Sequence, residues 1–204
     1  MIVVVDYGMG NLGAIINMLE YLGFEARPSR DPEEIVRARR LILPGVGSFD
    51  RAMRNLRLFD LATPLEDAVF GHDIPVLGIC LGMQVLSQRS EEGVERGLGW
   101  VAAKTVRLTP PAESGLKVPH IGWSDIAVTR STPLFDTADD PLRFYFAHSY
   151  YLRCLDSANV AASCDYDRTF CCAVSKGNVH GVQFHPEKSH RFGMDLLRRF
   201  VQET

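Results

Sequence analysis

Three residues have the types and spacing to do chemistry together: Cys80, His185 and Glu187. Cys80 is the centre of Gly78-Ile79-Cys80-Leu81-Gly82, with an apolar run over 74–79 before it and a helix expected over 81–88 behind it. A strand, a sharp turn carrying the nucleophile, and a helix directly behind form a nucleophile elbow. Glycine fits two residues either side of the apex because a Cβ there would collide with neighbouring backbone. A helix N-terminus beneath the sulfur favours thiolate over thiol. Taken alone, a cysteine between strand and helix reads equally well as a small buried apolar residue. His185 and Glu187 stand two apart at the end of an apolar strand, around Pro186. In an extended chain such residues point to the same side, and the proline keeps its predecessor extended. Taken alone, His185 is a surface histidine at a strand end. With the elbow it completes nucleophile, base and orienter, the set for covalent acyl transfer.

Composition narrows the classes. The 204 residues suffice for one domain over 1–204 with a full core. A formal charge of −3 gives no reason to expect nucleic acid or an anionic membrane as partner. No apolar run reaches membrane-spanning length, and the run over 2–5 ends at Asp6, too short and too acidic for a signal peptide. The five cysteines, at 80, 154, 164, 171 and 172, show no CxxC spacing, which fits a reducing, cytoplasmic location. The six histidines show no metal-ligand spacing, so neither metal nor cofactor is expected.

These residues need elements to hold them. Residues 2–5 read as a buried parallel-type strand. Leu12, Ile15, Ile16, Leu19 and Leu22 share one helical face, which Gly23 can close. Strands are expected over 24–27 and 40–43, with a helix between them started by Asp31-Pro32-Glu33-Glu34. Such β–α alternation predicts a doubly wound α/β sheet. The Gly8-x-Gly10-x-x-Gly13 pattern matches a dinucleotide fingerprint, but the acid it wants at the end of the second strand is missing, so a tight strand-to-helix loop is the better reading. Pro44-Gly45-Val46-Gly47-Ser48-Phe49 lies where ligands bind in open sheets, and its glycines would let backbone N–H groups approach an oxyanion; a plain turn is the alternative. Residues 49–70 read as helix broken near Pro64. From Gly99 to about Ala162 short alternating runs (101–108, 116–121, 126–129 and 142–147) predict an antiparallel, β-rich second half. A hairpin over 170–175 and 178–184, turning at Lys176-Gly177, leads to His185, and a last helix starts from a Ser189 cap.

At the longer motifs a resemblance appears. Gly78-Ile79-Cys80-Leu81-Gly82-Met83-Gln84 and Gly181-Val182-Gln183-Phe184-His185-Pro186-Glu187-Lys188-Ser189 resemble the class I (triad) glutamine amidotransferases. The stretches 6–12, Pro44 to Phe49, Pro119-His120-Ile121-Gly122-Trp123 and Tyr145-Phe146-Ala147-His148-Ser149-Tyr150 resemble the HisH type, the glutaminase subunit of imidazole glycerol phosphate synthase. The resemblance runs from residue 1 to about 200. It implies a three-layer, flavodoxin-like fold with a mixed central sheet. It implies L-glutamine as substrate, with catalytic roles for Cys80, His185 and Glu187. By motif position it implies an oxyanion pocket from Gly45, Val46, Gly47 and Leu81, and glutamine contacts from Gln84, Glu92, Ser149 and Tyr150. Glu92 suits that role, since a carboxylate can pair the substrate's α-ammonium. The resemblance further implies a heterodimer with a (β/α)₈ barrel synthase subunit of HisF type, which receives the ammonia. Asn11, Pro119, Trp123 and Tyr145 would then lie toward the partner.

The sequence departs from that pattern in two places. The family's Gly-Trp-Asn is Gly122-Trp123-Ser124, and His190-Arg191-Phe192-Gly193-Met194 is similar to HisH paralogues of surface-sugar pathways, which supply ammonia to sugar amidotransferases. A stand-alone γ-glutamyl or peptide hydrolase would use the same Cys-His pair, whereas a regulator on this fold would normally have lost a triad member. A dehydrogenase would need NAD binding.

Overall fold

The computed structural model describes residues 1–138 and 141–204. The first half alternates strand and helix: β1 Ile2–Val5, α1 Leu12–Tyr21, β2 Ala26–Ser29, α2 Pro32–Val36, β3 Arg40–Leu43, α3 Phe49–Leu58, α4 Ala62–Glu66, a π-helical turn at Asp67–Gly71, β4 Val76–Ile79 and α5 Leu81–Gln84. Strands dominate the second half: β5 Ala103–Arg107, β6 His120–Val128, β7 Leu142–His148, β8 Tyr150–Cys154, β9 Val160–Asp165, β10 Thr169–Lys176 and β11 Val179–Val182, closed by α6 His190–Glu203.

One mixed sheet runs β2-β1-β3-β4-β11-β10-β9-β6-β7, with β8 pairing β10 and β5 pairing β8. From β2 to β11 neighbours are parallel; beyond β11 they are antiparallel. Successive side chains of a strand face opposite sides, and two cores result. Val3, Val5, Leu41 and Leu43 meet α2, α3 and α4, whereas Ile2, Val4 and Ile42 meet α1 and α6. That is the expected three-layer arrangement. Local signals explain the first helices. The Asn11 side chain accepts from the Ala14 N–H at 3.1 Å and Asp31 accepts from the Glu33 N–H at 2.9 Å, with Pro32 in the first turn.

Several boundaries differ from the sequence reading. The second strand lies two residues later than 24–27. Helix over 49–70 is interrupted at 59–61, where Asp60 has φ +53°, and not at Pro64. Pro64 is tolerated because it lies in the first turn of α4, where its missing N–H is not needed. The helix expected over 81–88 ends at Gln84, because Gln88 N–H donates to Ala103 O and the Val85 carbonyl accepts from Leu98 N–H, drawing the chain toward the β5 layer. The runs 116–121 and 126–129 give one strand, β6, which pairs with β7 along its length from His120 to Ile126. Strands β8 and β9 were not among the expected runs. The hairpin turns at Gly177-Asn178, one residue later than expected, with Gly177 at φ +56°.

Candidate active site

Strands β4 and β11 are parallel neighbours, with Gly78 opposite Gly181 and Ile79 opposite Val182. Adjacent strand ends bring Cys80 and His185 together from positions far apart in sequence. Cys80 has φ +54° and ψ −110°, a conformation an L-residue adopts only under strain. Packing over-determines it. A Cβ on Gly82 would sit 1.7 Å from Leu43 O, and one on Gly78 would sit 2.6 Å from Gly82 O. The elbow therefore lies against β3 with backbone touching backbone. The helix behind it is a single turn, so its dipole supplies less than a full helix would.

His185 Nδ1 lies 2.7 Å from Glu187 Oε1, and both side chains are buried. The route to this contact differs from the extended chain inferred from sequence: Pro186–Lys188 forms a 3₁₀ turn that folds the carboxylate back under the ring. Burial pulls the imidazole pKa down, but hydrogen bonds to Cys80 and Glu187 and their charges outweigh it, raising it to about 10. With Nδ1 committed to Glu187, Nε2 is the nitrogen left for Cys80. His185 is thus a cation at neutral pH beside the sulfur.

The backbone of His185 is pinned as well. Its N–H donates to Tyr145 O at 2.9 Å. The Ser189 hydroxyl donates to His185 O at 2.6 Å and accepts from Tyr145 N–H at 3.0 Å. Ser189 was expected to cap α6, but its side chain makes no capping bond; it is fully buried and staples β7 to the His185 turn instead.

A cavity of about 200 Å³ opens beside Cys80, below the roughly 300–1,000 Å³ of drug-sized pockets and suited to one amino acid. All four residues expected to contact glutamine, Gln84, Glu92, Ser149 and Tyr150, line it, together with Val46, Gly47 and Leu81. Glu92 Oε2 accepts from Phe49 N–H at 2.8 Å, at the start of α3. Asp50 secures the Glu92 loop by accepting from Val94 N–H at 3.2 Å and Glu95 N–H at 3.0 Å.

The expected oxyanion donors are turned away from the cavity in this conformation. Leu81 N–H is not open to a ligand: it donates to Gly45 O at 3.3 Å. Val46 and Gly47 line the cavity, with Gly47 at φ +119°, while Gly45 turns its carbonyl to the elbow. The Tyr7 hydroxyl, fully buried and held as a neutral phenol by that burial, donates to Pro44 O and fixes the root of this segment.

Residues expected to face a partner are divided. Trp123 and Ile121 on β6 are exposed at 37% and 62%, and Trp123 stacks on His190 at 5.6 Å between ring centroids. Tyr145 meets Trp123 edge-on and lies under Lys188. Asn11 is exposed but also caps α1. Pro119 borders the Cys80 cavity.

Sequence reasoning missed Gln183 and His148. Gln183 is wholly buried and its Nε2 donates to Cys80 Sγ at 3.6 Å. His148 lines the cavity, and burial foremost lowers its pKa to about 3. A signal existed for Gln183: it is a polar residue in an apolar strand run, two before His185 and hence on the same side. Among the described residues no cluster of His, Cys, Asp and Glu is arranged to hold a metal, and no helix is long and apolar enough to cross a membrane.

Comparison with known proteins agrees with this geometry. Residues 3–204 match the family described as glutamine amidotransferase class-I. The chain is 47% identical to "Imidazole glycerol phosphate synthase subunit HisH 2" of Methanococcus maripaludis over 204 residues, covering 100% of both chains. It is 46% identical to the protein of the same name in Pseudomonas aeruginosa, covering 99% of each. Among solved structures, one described as a glutamine amidotransferase superposes with TM-score 0.76 at 22% identity, covering 98% of this chain and 97% of that one. PurLQS from Thermotoga maritima gives TM-score 0.74 at 21% identity, covering 99% and 97%. At those identities the structures support the fold alone.

Proposed function

The chain belongs to the class-I glutamine amidotransferases, and from that premise we propose that it is the glutaminase subunit of an imidazole glycerol phosphate synthase. The observation that carries the reading is the Cys80–His185–Glu187 constellation opening on a cavity lined by Gln84, Glu92, Ser149 and Tyr150.

The Cys80 sulfur attacks the side-chain carboxamide carbon of glutamine. The His185 imidazolium passes its proton to the departing nitrogen, which leaves as ammonia, and the acyl group stays on sulfur as a thioester. His185, now neutral, takes a proton from water as it attacks the thioester, and glutamate departs with the thiolate restored. Glu187 holds the ring throughout. The Glu92 carboxylate pairs the substrate's α-ammonium from the far side of the cavity. Both N–H groups of Gln84 are spent on Tyr150 O and Gln183 Oε1, so Gln84 meets substrate as an acceptor through its own Oε1.

The oxyanion needs donors that the resting loop withholds. Turning the Gly45–Val46 peptide over would release Leu81 N–H from Gly45 O and bring Val46 N–H to the same place. Docking of a partner on the Trp123 face would supply the bias. In this reading the partner is a (β/α)₈ barrel subunit that consumes the ammonia to form imidazole glycerol phosphate and an aminoimidazole carboxamide ribotide, and the pair works in the cytoplasm as one heterodimer. The chain acts as one amidotransferase domain.

The test is glutamate release from glutamine by the chain alone, then with the histidine-pathway barrel and its nucleotide substrate. The expected outcome is slow release alone and a rise of at least about 10²-fold with both, the size of effect an oxyanion donor supplies. No rise, in protein whose Cys80 still reacts with a glutamine-like electrophile, would overturn the assignment to this synthase.

A further inference from the structure

Two buried carboxamides, Gln84 and Gln183, pack behind the nucleophile, and the triad alone does not account for them. Gln183 Nε2 lies 3.6 Å from Cys80 Sγ. Gln84 Nε2 donates to Gln183 Oε1 at 3.1 Å and to Tyr150 O at 2.9 Å. A carboxamide can in principle be placed either way round, but here the partners decide. Tyr150 O can only accept, so Gln84 must present its NH₂ to it. The second N–H of that group reaches Gln183, which must therefore offer oxygen. The Gln183 NH₂ is left for the sulfur.

The shared carbonyl is fixed from its other side too. His148 Nδ1 lies 2.8 Å from Tyr150 O and so carries the proton. His148 Nε2 is then an acceptor for His120 Nδ1 at 3.1 Å, and His120 Nε2 an acceptor for the Ser124 hydroxyl at 2.9 Å. Every donor and acceptor along Ser124–His120–His148–Tyr150 and Tyr150–Gln84–Gln183–Cys80 has one consistent direction.

We propose that Gln183 is a further residue of the glutaminase centre, donating a hydrogen bond to the Cys80 sulfur that holds it as an aimed thiolate and slackens when the thioester forms, with Gln84 as the positioning residue behind it. The proposal rests on the reading of Cys80 as nucleophile. An N–H donor bonds an anionic sulfur more strongly than a thiol or a neutral thioester, so the bond favours the reactive state and is given up when charge leaves the sulfur. The titratable groups coupled to this sulfur are His185, from the end of β11, and Tyr7, from the end of β1. Neither is altered by changing Gln183, so the effect of the carboxamide can be read separately.

The experiment follows alkylation of Cys80 by iodoacetamide from about pH 6 to about pH 9.5, quantified on its own peptide by mass spectrometry, in the wild-type chain, Gln183→Met and Gln183→Leu. Both remove the donor without adding a charge; methionine keeps length, and leucine, shorter and branched, decides the matter if the methionine variant does not fold. Near pH 7 both variants are expected to react about tenfold more slowly than wild type, and near pH 9.5 to converge with it, because a charge-assisted bond is worth about one factor of ten or more in thiolate population. Profiles that coincide with wild type, or that fall equally at every pH as a purely structural defect would, overturn the proposal. If wild-type Cys80 reacts no faster near pH 7 than the partly exposed Cys154, the nucleophile assignment itself fails and takes the proposal with it.

Discussion

At the scale of single residues, the site depends on one carboxylate. Glu187 accepts from His185 Nδ1 at 2.7 Å, and together with Cys80 it raises the imidazole pKa against a burial effect that runs the other way. Glu187→Gln preserves shape but removes the charge and the control of the tautomer. We expect kcat to fall by about 10²–10⁴ with KM little changed, measured as glutamate release in the presence of the barrel, because a comparable substitution in an acyl-transfer triad costs about that much. An equal loss through KM would mean that the residue serves binding. Cys80, His185 and Glu187 were legible from sequence because their geometry is local: an elbow needs its glycines within two positions, and the base and its orienter are two apart. Gln183 carried only a weak signal and the role of Ser189 none, because Cys80 and Gln84 reach Gln183, and Tyr145 reaches Ser189, from other elements. The Ser189 hydroxyl is claimed by Tyr145 N–H and His185 O, so the expected cap never forms. The engagement of Leu81 N–H is equally hidden from sequence: which face of the Gly45–Val46 peptide meets the elbow is set by tertiary contact, and glycine permits either.

At the scale of elements, α6 is the part that keeps the His185 turn in place. A Cβ on Gly193 would come within 1.8 Å of Pro186 O. On helix propensity alone Gly→Ala would stabilise by roughly 1 kcal/mol. The clash is with backbone and cannot be relieved by a rotamer, so we expect Gly193→Ala to destabilise by about 1–3 kcal/mol net and to lower kcat by displacing His185. Thermal melting and turnover on one preparation check both; a raised Tm with intact kcat would refute the close approach. Elements with strong local signals, such as α1 with its apolar face and α2 with its Asp-Pro start, were read correctly. The short α5 was not, because Gln88 N–H and the Val85 carbonyl are recruited by Ala103 and Leu98, and no propensity within 81–88 records that competition. Strand β6 reads from sequence as two pieces because Gly122, Ser124 and Asp125 interrupt its apolar run, although its even-numbered residues face inward along the whole strand as β7 and then β9 pair with it.

At the scale of the whole molecule, four buried histidines divide into two classes with opposite pH signatures. His148, His120 and His180 are buried, and burial lowers their pKa values to about 3, 4 and 4. Unfolded, they take up protons near pH 6.5; folded, they do not. Stability from these groups is complete above about pH 6.5 and is lost as pH falls toward 4. His185 has the opposite sign: its contribution is complete below about pH 6.5 and is lost as pH rises through about 10. Calorimetric Tm should therefore peak near neutrality and fall on both sides, with the acid arm on the order of a few kcal/mol by about pH 4.5. Histidine ring resonances of 120, 148 and 180 should not titrate near 6.5; any that does removes its share. The parallel half of the fold was legible because each strand–helix unit carries its own signals. The order of the antiparallel half was not, because β8 pairs with β5 and β9 with β6 across long stretches of chain that sequence spacing does not specify.

The position of β11 also sets the timetable of synthesis. It inserts between β4 and β10, so β4 carries an open parallel edge, Val76-Leu77-Gly78-Ile79, until residues 179–182 have left the ribosome. For the intervening hundred or so residues, several seconds at typical translation rates, the nascent elbow has β3 on one side but lacks both β11 and its base. A bare apolar edge of that kind invites pairing with other chains. Chaperone demand and aggregation during expression should therefore concentrate in this window, and the reactive thiol is armed only at the final step, when β11 brings His185 alongside it.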